Sequence, residues 1–111
     1  MFVTDIERLG LTEKEAKLYL TSLRIGPVSM QTLAAKAKID RGTAYHVAKT
    51  LGQKGLFGQV EGGKRPLFSV TNPQLFYDYV AEQKKQADEH FSAMERMIDD
   101  LKSLHSLHAG Q

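Results

Sequence analysis

Ser29 to Lys54, SMQTLAAKAKIDRGTAYHVAKTLGQK, is the stretch on which the fold turns. It predicts two short helices joined by a tight turn: Ser29 to about Ala37, the turn Lys38-Ile39-Asp40, then Arg41 to about Lys54. In the second helix Ala44, Val47, Ala48 and Leu51 fall at i, i+3, i+4 and i+7, which is one helical face. Arg41, Thr43, Tyr45, His46, Lys49, Thr50 and Gln53 are left for the other side. A small helix with an aliphatic inner face and an outer face of amide, hydroxyl, guanidinium and imidazole groups suits a DNA major groove. The pattern is that of a helix-turn-helix.

Within this stretch Ser29 is placed to cap the first helix, and Met30, Leu33, Ala34 and Ala37 supply its inner face. Ile39 is expected to point into the core. Asp40 can cap the second helix and favours its positive end. Gly42 and Gly52 each weaken that helix by roughly 1 kcal/mol relative to alanine. At Gly42 two readings stand: a bare first turn that lets a phosphate approach, or plain tolerance in a helix held by packing. Gly55 is a helix end.

Moving toward the N-terminus, Phe2, Ile6 and Leu9 predict a short leading helix ended by Gly10. Thr12-Glu13-Lys14-Glu15 has the form of a capping box. Ala16, Leu20 and Leu23, with Tyr19 alongside, are the expected buried stripe of a helix that Gly26-Pro27 stops. Moving the other way, Leu56–Val60 and Leu67–Val70 flank Glu61-Gly62-Gly63-Lys64-Arg65-Pro66 and read as a β-hairpin. Behind a helix-turn-helix such a hairpin is a wing, with Lys64 and Arg65 near its tip. Thr71-Asn72-Pro73 then starts a helix that can run to about residue 108, roughly 50 Å at 1.5 Å per residue. Val80, Ala87, Met94 and Leu101 repeat every seven residues, and Tyr77, Lys84, Phe91, Ile98 and His105 form a second seam position. Met97, Leu104 and Leu107 widen the apolar face. A coiled-coil-like homodimer is the economical partner for it; folding back on its own domain is the alternative.

The fold class is therefore mainly α with a small β-hairpin: a winged helix-turn-helix over residues 1–71, then a long dimerisation helix over 72–111. Its chain of 111 residues holds one core and an appended element. The net charge of +2 divides unevenly. Residues 1–71 carry eleven Lys and Arg against six acids, whereas residues 72–111 carry four against seven. A basic head on an acidic tail fits a nucleic-acid binder, although two ordinary solvated surfaces would also produce it. Without cysteine there is no disulfide framework and no thiolate metal site. With no signal-peptide pattern and no membrane-length apolar run, a cytoplasmic protein with no membrane partner is expected.

Catalysis finds little support. Gly62-Gly63-Lys64 lacks the strand–loop–helix setting of a phosphate loop, and no Ser, His and acid stand in a recognisable arrangement. His105-x-x-His108 has one metal-like spacing but reads first as a helix end. No enzyme activity, cofactor or metal is expected. Ser29, Gln31 and Thr32 open the first motif helix, where short polar groups hold backbone phosphates. Lys36 and Lys38 are steering charges. Tyr45 either lies on a sugar-phosphate or seals the core edge.

The text LGLTEKEAKLYLTSLRIGPVSMQTLAAKAKIDRGTAYHVAKTLGQKGLF resembles the TrmB-type winged-helix transcriptional regulators. The matching features are Leu9-Gly10-Leu11-Thr12-x-x-Glu15-Ala16 with Tyr19, then Gly26-Pro27, Ile39-x-Arg41 with Ala44-Tyr45, and Leu51-x-x-Lys54-Gly55-Leu56. The resemblance covers residues 5 to 71 well and the long helix in outline. It implies a DNA-binding dimer whose second motif helix lies in the major groove, with Arg41, Thr43 and Tyr45 in the stretch facing DNA. His46 and Lys49 join them by spacing alone. Asp40 stands where the family often has proline. Family members that sense sugars carry a large C-terminal effector domain, so a small-molecule effector is not expected for these 111 residues.

The expected DNA-facing set is thus Ser29, Gln31, Arg41, Gly42, Thr43, Tyr45, His46, Lys49, Lys64 and Arg65. The expected dimer set is Tyr77, Val80, Ala87, Phe91, Met94, Ile98, Leu101 and Leu104. Double-stranded DNA and a second copy are the partners. A protein-binding scaffold and a sequence-indifferent architectural DNA binder remain open alternatives.

Overall fold

Helix starts and stops in this chain are written in side chains that take up backbone groups the helices themselves leave unpaired. A computed structural model describes residues 1–61 and 63–108. Five helices and a hairpin follow in order: α1 (Val3–Glu7), α2 (Glu13–Ile25), α3 (Met30–Ala37), α4 (Arg41–Gln53), β1 (Phe57–Val60), β2 (Leu67–Val70) and α5 (Pro73–Ser106). The Thr12 hydroxyl accepts from the Glu15 amide at 3.2 Å, and the Glu15 carboxylate accepts from the Thr12 amide at 3.0 Å. Ser29 takes the Thr32 amide at 3.2 Å. Asn72, rather than Thr71, takes the Gln74 amide at 2.9 Å and begins α5.

Both helices of the motif end in the same way. After α3, the Ile39 amide donates to Ala34 and the Lys38 amide to Ala35, with Lys38 at φ 57°. After α4, the Leu56 amide donates to Leu51 and the Gly55 amide to Gly52, with Gly55 at φ 78°. In each case one left-handed residue turns the chain, and the apolar residue behind it re-enters the core. Ile39 packs partly on that core and Leu56 is fully buried in it.

The core lies between α2, α3 and α4, with Leu18, Met30, Leu33, Leu51 and Leu56 almost entirely removed from solvent. Ala16, Ala34, Ala44 and Ala48 are buried where these helices meet, and their small side chains permit close approach. β1 and β2 pair antiparallel, Phe57 opposite Val70 and Val60 opposite Leu67. Gly62, half of the expected Gly-Gly turn, lies outside the described residues. The buried Ser22 hydroxyl accepts from the Val70 amide at 3.2 Å and so fastens β2 to α2.

Three expectations need correction. The leading helix is shorter than 2–9, and Leu9 lies beyond its end, 43% exposed. Leu23 is 42% exposed rather than buried; Leu18, absent from the expected stripe, is fully buried in its place. Thr50, expected on the outer side of α4, is half-buried against Glu15 of α2, while the long helix runs to Ser106, close to its expected end. The chain divides into compact units at Met1–Val80 and Ala81–Gln111. The first turns of α5 belong with the first unit because Phe76 is buried and meets Tyr19 edge-on at 5.0 Å.

Candidate nucleic-acid interface

The outer side of α4 is available because its inner side is used completely. Ala44, Val47, Ala48 and Leu51 are buried, whereas Arg41, Gly42, Tyr45, His46, Lys49 and Gln53 are exposed. Arg41, Tyr45 and Lys49 follow at i, i+4 and i+8, one row along the helix. Thr43 is half-buried at the border of this face, and Thr50 faces α2. The ion pairs among the described residues are Lys54–Glu15 and Lys84–Asp88, so Arg41, Lys49, Lys64 and Arg65 bear charge outside any ion pair there.

Three elements contribute to one shallow groove of about 290 Å³. Ser29 and Gln31 come from the start of α3, Arg41 and Tyr45 from α4, and Arg65 and Phe68 from the wing. The Arg41 guanidinium carbon lies 5.9 Å from the centre of the Tyr45 ring. Tyr45 meets Phe68 edge-on, with centroids 6.1 Å apart and planes at 88°. The two readings of Tyr45 therefore describe different parts of one residue: an edge is packed on the wing, and 44% of its surface remains open. Lys64 lines the neighbouring concave side of the hairpin together with Arg65. His46 and Thr43 line a separate shallow surface with Glu13 and Lys14 of α2.

Asp40 alters what the start of α4 can offer an anion. Its Oδ2 accepts from the amides of Gly42 at 3.1 Å and Thr43 at 3.3 Å. Those donors are engaged, so Gly42 presents a surface without a side chain rather than a free amide. A Cβ at Gly42 would stand 3.3 Å from the same carboxylate oxygen, closer than ordinary contact. Gly42 thus also makes room for the cap.

Behind the interface a charged cluster sets α4 against α2. Glu15 is 3% exposed, and its carboxylate accepts from Lys54 Nζ at 2.8 and 2.9 Å and from the Thr50 hydroxyl at 2.8 Å. Burial pushes this carboxyl up, but hydrogen bonds from Lys54, the Thr12 amide and Thr50, with the Lys54 charge, outweigh it and hold the pKa below its ordinary value. The capping box announced Glu15 in sequence; nothing announced Lys54 and Thr50, which lie 39 and 35 residues away. Phe68 was likewise hidden, since a phenylalanine in a short strand carries no signal of what it touches.

A profile of the family described as "Sugar-specific transcriptional regulator TrmB" matches residues 6–79. The chain belongs to the TrmB family. The sugar sensing transcriptional regulator TrmBL1 of Pyrococcus furiosus is 30% identical over 77 residues, covering 69% of this chain and 22% of that protein. The chain therefore spans about a fifth of the length of this relative. Among solved structures, TrmBL2, described as an archaeal chromatin protein with a novel mode of DNA binding, superposes with a TM-score of 0.77 at 17% identity. That match covers 98% of this chain and 42% of TrmBL2. A possible transcriptional regulator from Methanosarcina mazei matches with a TM-score of 0.66 at 14% identity, over 86% of this chain and 88% of that one. The fold is that of winged-helix regulators. Family and fold are those of DNA-binding regulators rather than enzymes. No helix among the described residues is long and apolar enough to cross a membrane.

Proposed function

We propose that this TrmB-family protein is a homodimeric, sequence-specific binder of double-stranded DNA that regulates transcription and performs no catalysis. The observation that carries this reading is the convergence of α3, α4 and the wing on one groove bearing Arg41 and Arg65. In it α4 enters the major groove, Lys64 and Arg65 brace the flanking duplex, and Ser29 and Gln31 hold a backbone phosphate. Two-fold symmetry then calls for a near-palindromic site with half-sites about 10 bp apart, or a multiple of that.

The dimer is supported by the surface of α5. Phe91, Met94, Met97, Ile98, Leu101 and Leu104 are all exposed along it. Tyr77 is 70% exposed, and Val80 packs partly on the core of its own unit. Both line an apolar groove of about 330 Å³ with Leu9 and Leu23, which accounts for the exposure of those two leucines. Replacing Met94 and Leu101 together by glutamate should weaken the dimer at least ~100-fold, because four apolar side chains per dimer lose their burial. Light scattering across a dilution series reads this, and an unchanged dimer removes α5 as the interface.

The test of the whole reading is a fluorescence-anisotropy titration of random duplex at two salt concentrations, followed by selection for a preferred site. If the dimer neutralises about eight phosphates, log affinity should fall against log salt with a slope near −7. Absence of binding by a well-folded dimer would overturn it. The likeness of fold to a chromatin protein favours a second reading, a DNA binder indifferent to sequence. Selection that returns no preferred site would decide for that one.

A further inference from the structure

Phe68 stands outside the DNA-facing set, yet the contacts of three elements meet on it. Its amide donates to the Val28 carbonyl at 2.7 Å, and its carbonyl accepts from the Val28 amide at 3.2 Å. Val28 immediately precedes Ser29, the cap of α3, so this bridge sets the wing against the start of that helix. On the side-chain level Phe68 meets Tyr45 edge-on at 6.1 Å and lies parallel to Phe57, with centroids 6.3 Å apart and planes at 7°. Tyr45 in turn carries the Arg41 guanidinium at 5.9 Å. Arg65 and Pro66 come just before β2 and line the same groove as these residues.

A two-stranded ribbon of four residues per strand is not stable by itself; its direction is set by whatever its inner face packs on. Here the packing partner nearest the tip on β2 is the aromatic pair Phe68–Tyr45. We infer that Phe68 is a positioning residue that holds the wing cations Lys64 and Arg65 in register with Arg41 of α4 and Ser29 of α3. Through it, three separate sets of contacts bind one duplex as a unit. The geometry stands independently of the DNA-binding reading; the effect on affinity rests on that reading.

Two measurements on Phe68→Leu test the inference, since leucine preserves an apolar strand residue and removes the ring edge and face. The first needs no DNA. Backbone order parameters from 15N relaxation should fall at Arg65 and Leu67 while those of Ala44 and Leu51 hold. Unchanged values at Arg65 and Leu67 overturn the inference whatever the protein binds. The second is the salt dependence of duplex binding. It should become shallower by about 1.8 for each wing, the loss expected for two cations. The same loss is expected for Lys64→Ala with Arg65→Ala, and adding Phe68→Leu to that pair should change the slope no further. An unchanged slope in a variant that still binds also overturns the inference. Should wild-type protein fail to bind duplex, the DNA-binding reading falls and the order parameters decide the positioning role alone. If Phe68→Leu does not fold, Tyr45→Leu cuts the same contact from a half-open position and takes its place in the order-parameter measurement, which needs no DNA.

Discussion

Replacing Glu15 by alanine is expected to cost about 3 kcal/mol of folding stability, because a part-buried ion pair, the capping box and the bond from Thr50 are lost together. For a domain of this size that lowers Tm by roughly 10–15 °C, which calorimetry or thermal circular dichroism reads directly. The reasoning starts from burial. Glu15 is nearly sealed from solvent, and its two oxygens take up Lys54, Thr50 and the Thr12 amide. Its removal leaves Lys54 Nζ and the Thr12 amide without this acceptor, whereas the Thr50 hydroxyl keeps the Val47 carbonyl at 2.8 Å, and it uncouples the start of α2 from the end of α4. The pH dependence follows from the lowered pKa of this carboxyl. A carboxylate whose pKa is lower in the folded than in the unfolded chain contributes stability above the unfolded value, and loses it as pH falls through the folded value. Wild-type protein should therefore lose stability below about pH 4.5, the ordinary value for this carboxyl. Glu15→Gln should lack that part of the loss. Lys54→Met should reverse its sign: burial remains, the main opposing partner is gone, and the pKa of Glu15 rises. Parallel pH–stability curves for wild type and Glu15→Gln would show that Glu15 is not the group responsible.

Arg41→Ala is expected to weaken DNA binding by at least ~30-fold while leaving Tm and the dimer unchanged. Each DNA-contacting arginine is worth roughly 1–3 kcal/mol, and the proposed dimer carries two. Little stability is at stake, because the contact of Arg41 with the Tyr45 ring at 5.9 Å is exposed. The manner of the loss identifies the contact. If Arg41 holds phosphate, the salt slope becomes shallower by about 0.9 for each copy, equally on all sequences. If it reads a base, the slope holds and discrimination relaxes at one position in each half-site. Binding that is unchanged in affinity, slope and selectivity would remove Arg41 from the interface.

Much of this protein was legible in the order of its residues. Spacing of apolar residues at i, i+3, i+4 and i+7 set α4, and Ser29, Asp40 and Gly55 marked where the motif helices begin and end. These are local interactions, closed within one or two turns of chain, so the text of the chain contains both partners. Leu23 shows where such reading stops. It occupies a helical position that matches a buried stripe, but burial depends on what stands opposite, and at Leu23 the surface opens into an apolar groove.

The helix-turn-helix, the hairpin and the outward row Arg41, Tyr45, Lys49 were determined by sequence alone, through periodicity, caps and turn residues. Tertiary structure alone decided the rest. It joined Lys54 and Thr50 to Glu15, placed Phe68 between the wing and α4, and brought Ser29, Arg41 and Arg65 to one groove. Each of those contacts spans more than ten residues of chain. Which distant side chains meet is set by how helices and strands pack, and no single segment carries both halves of that information.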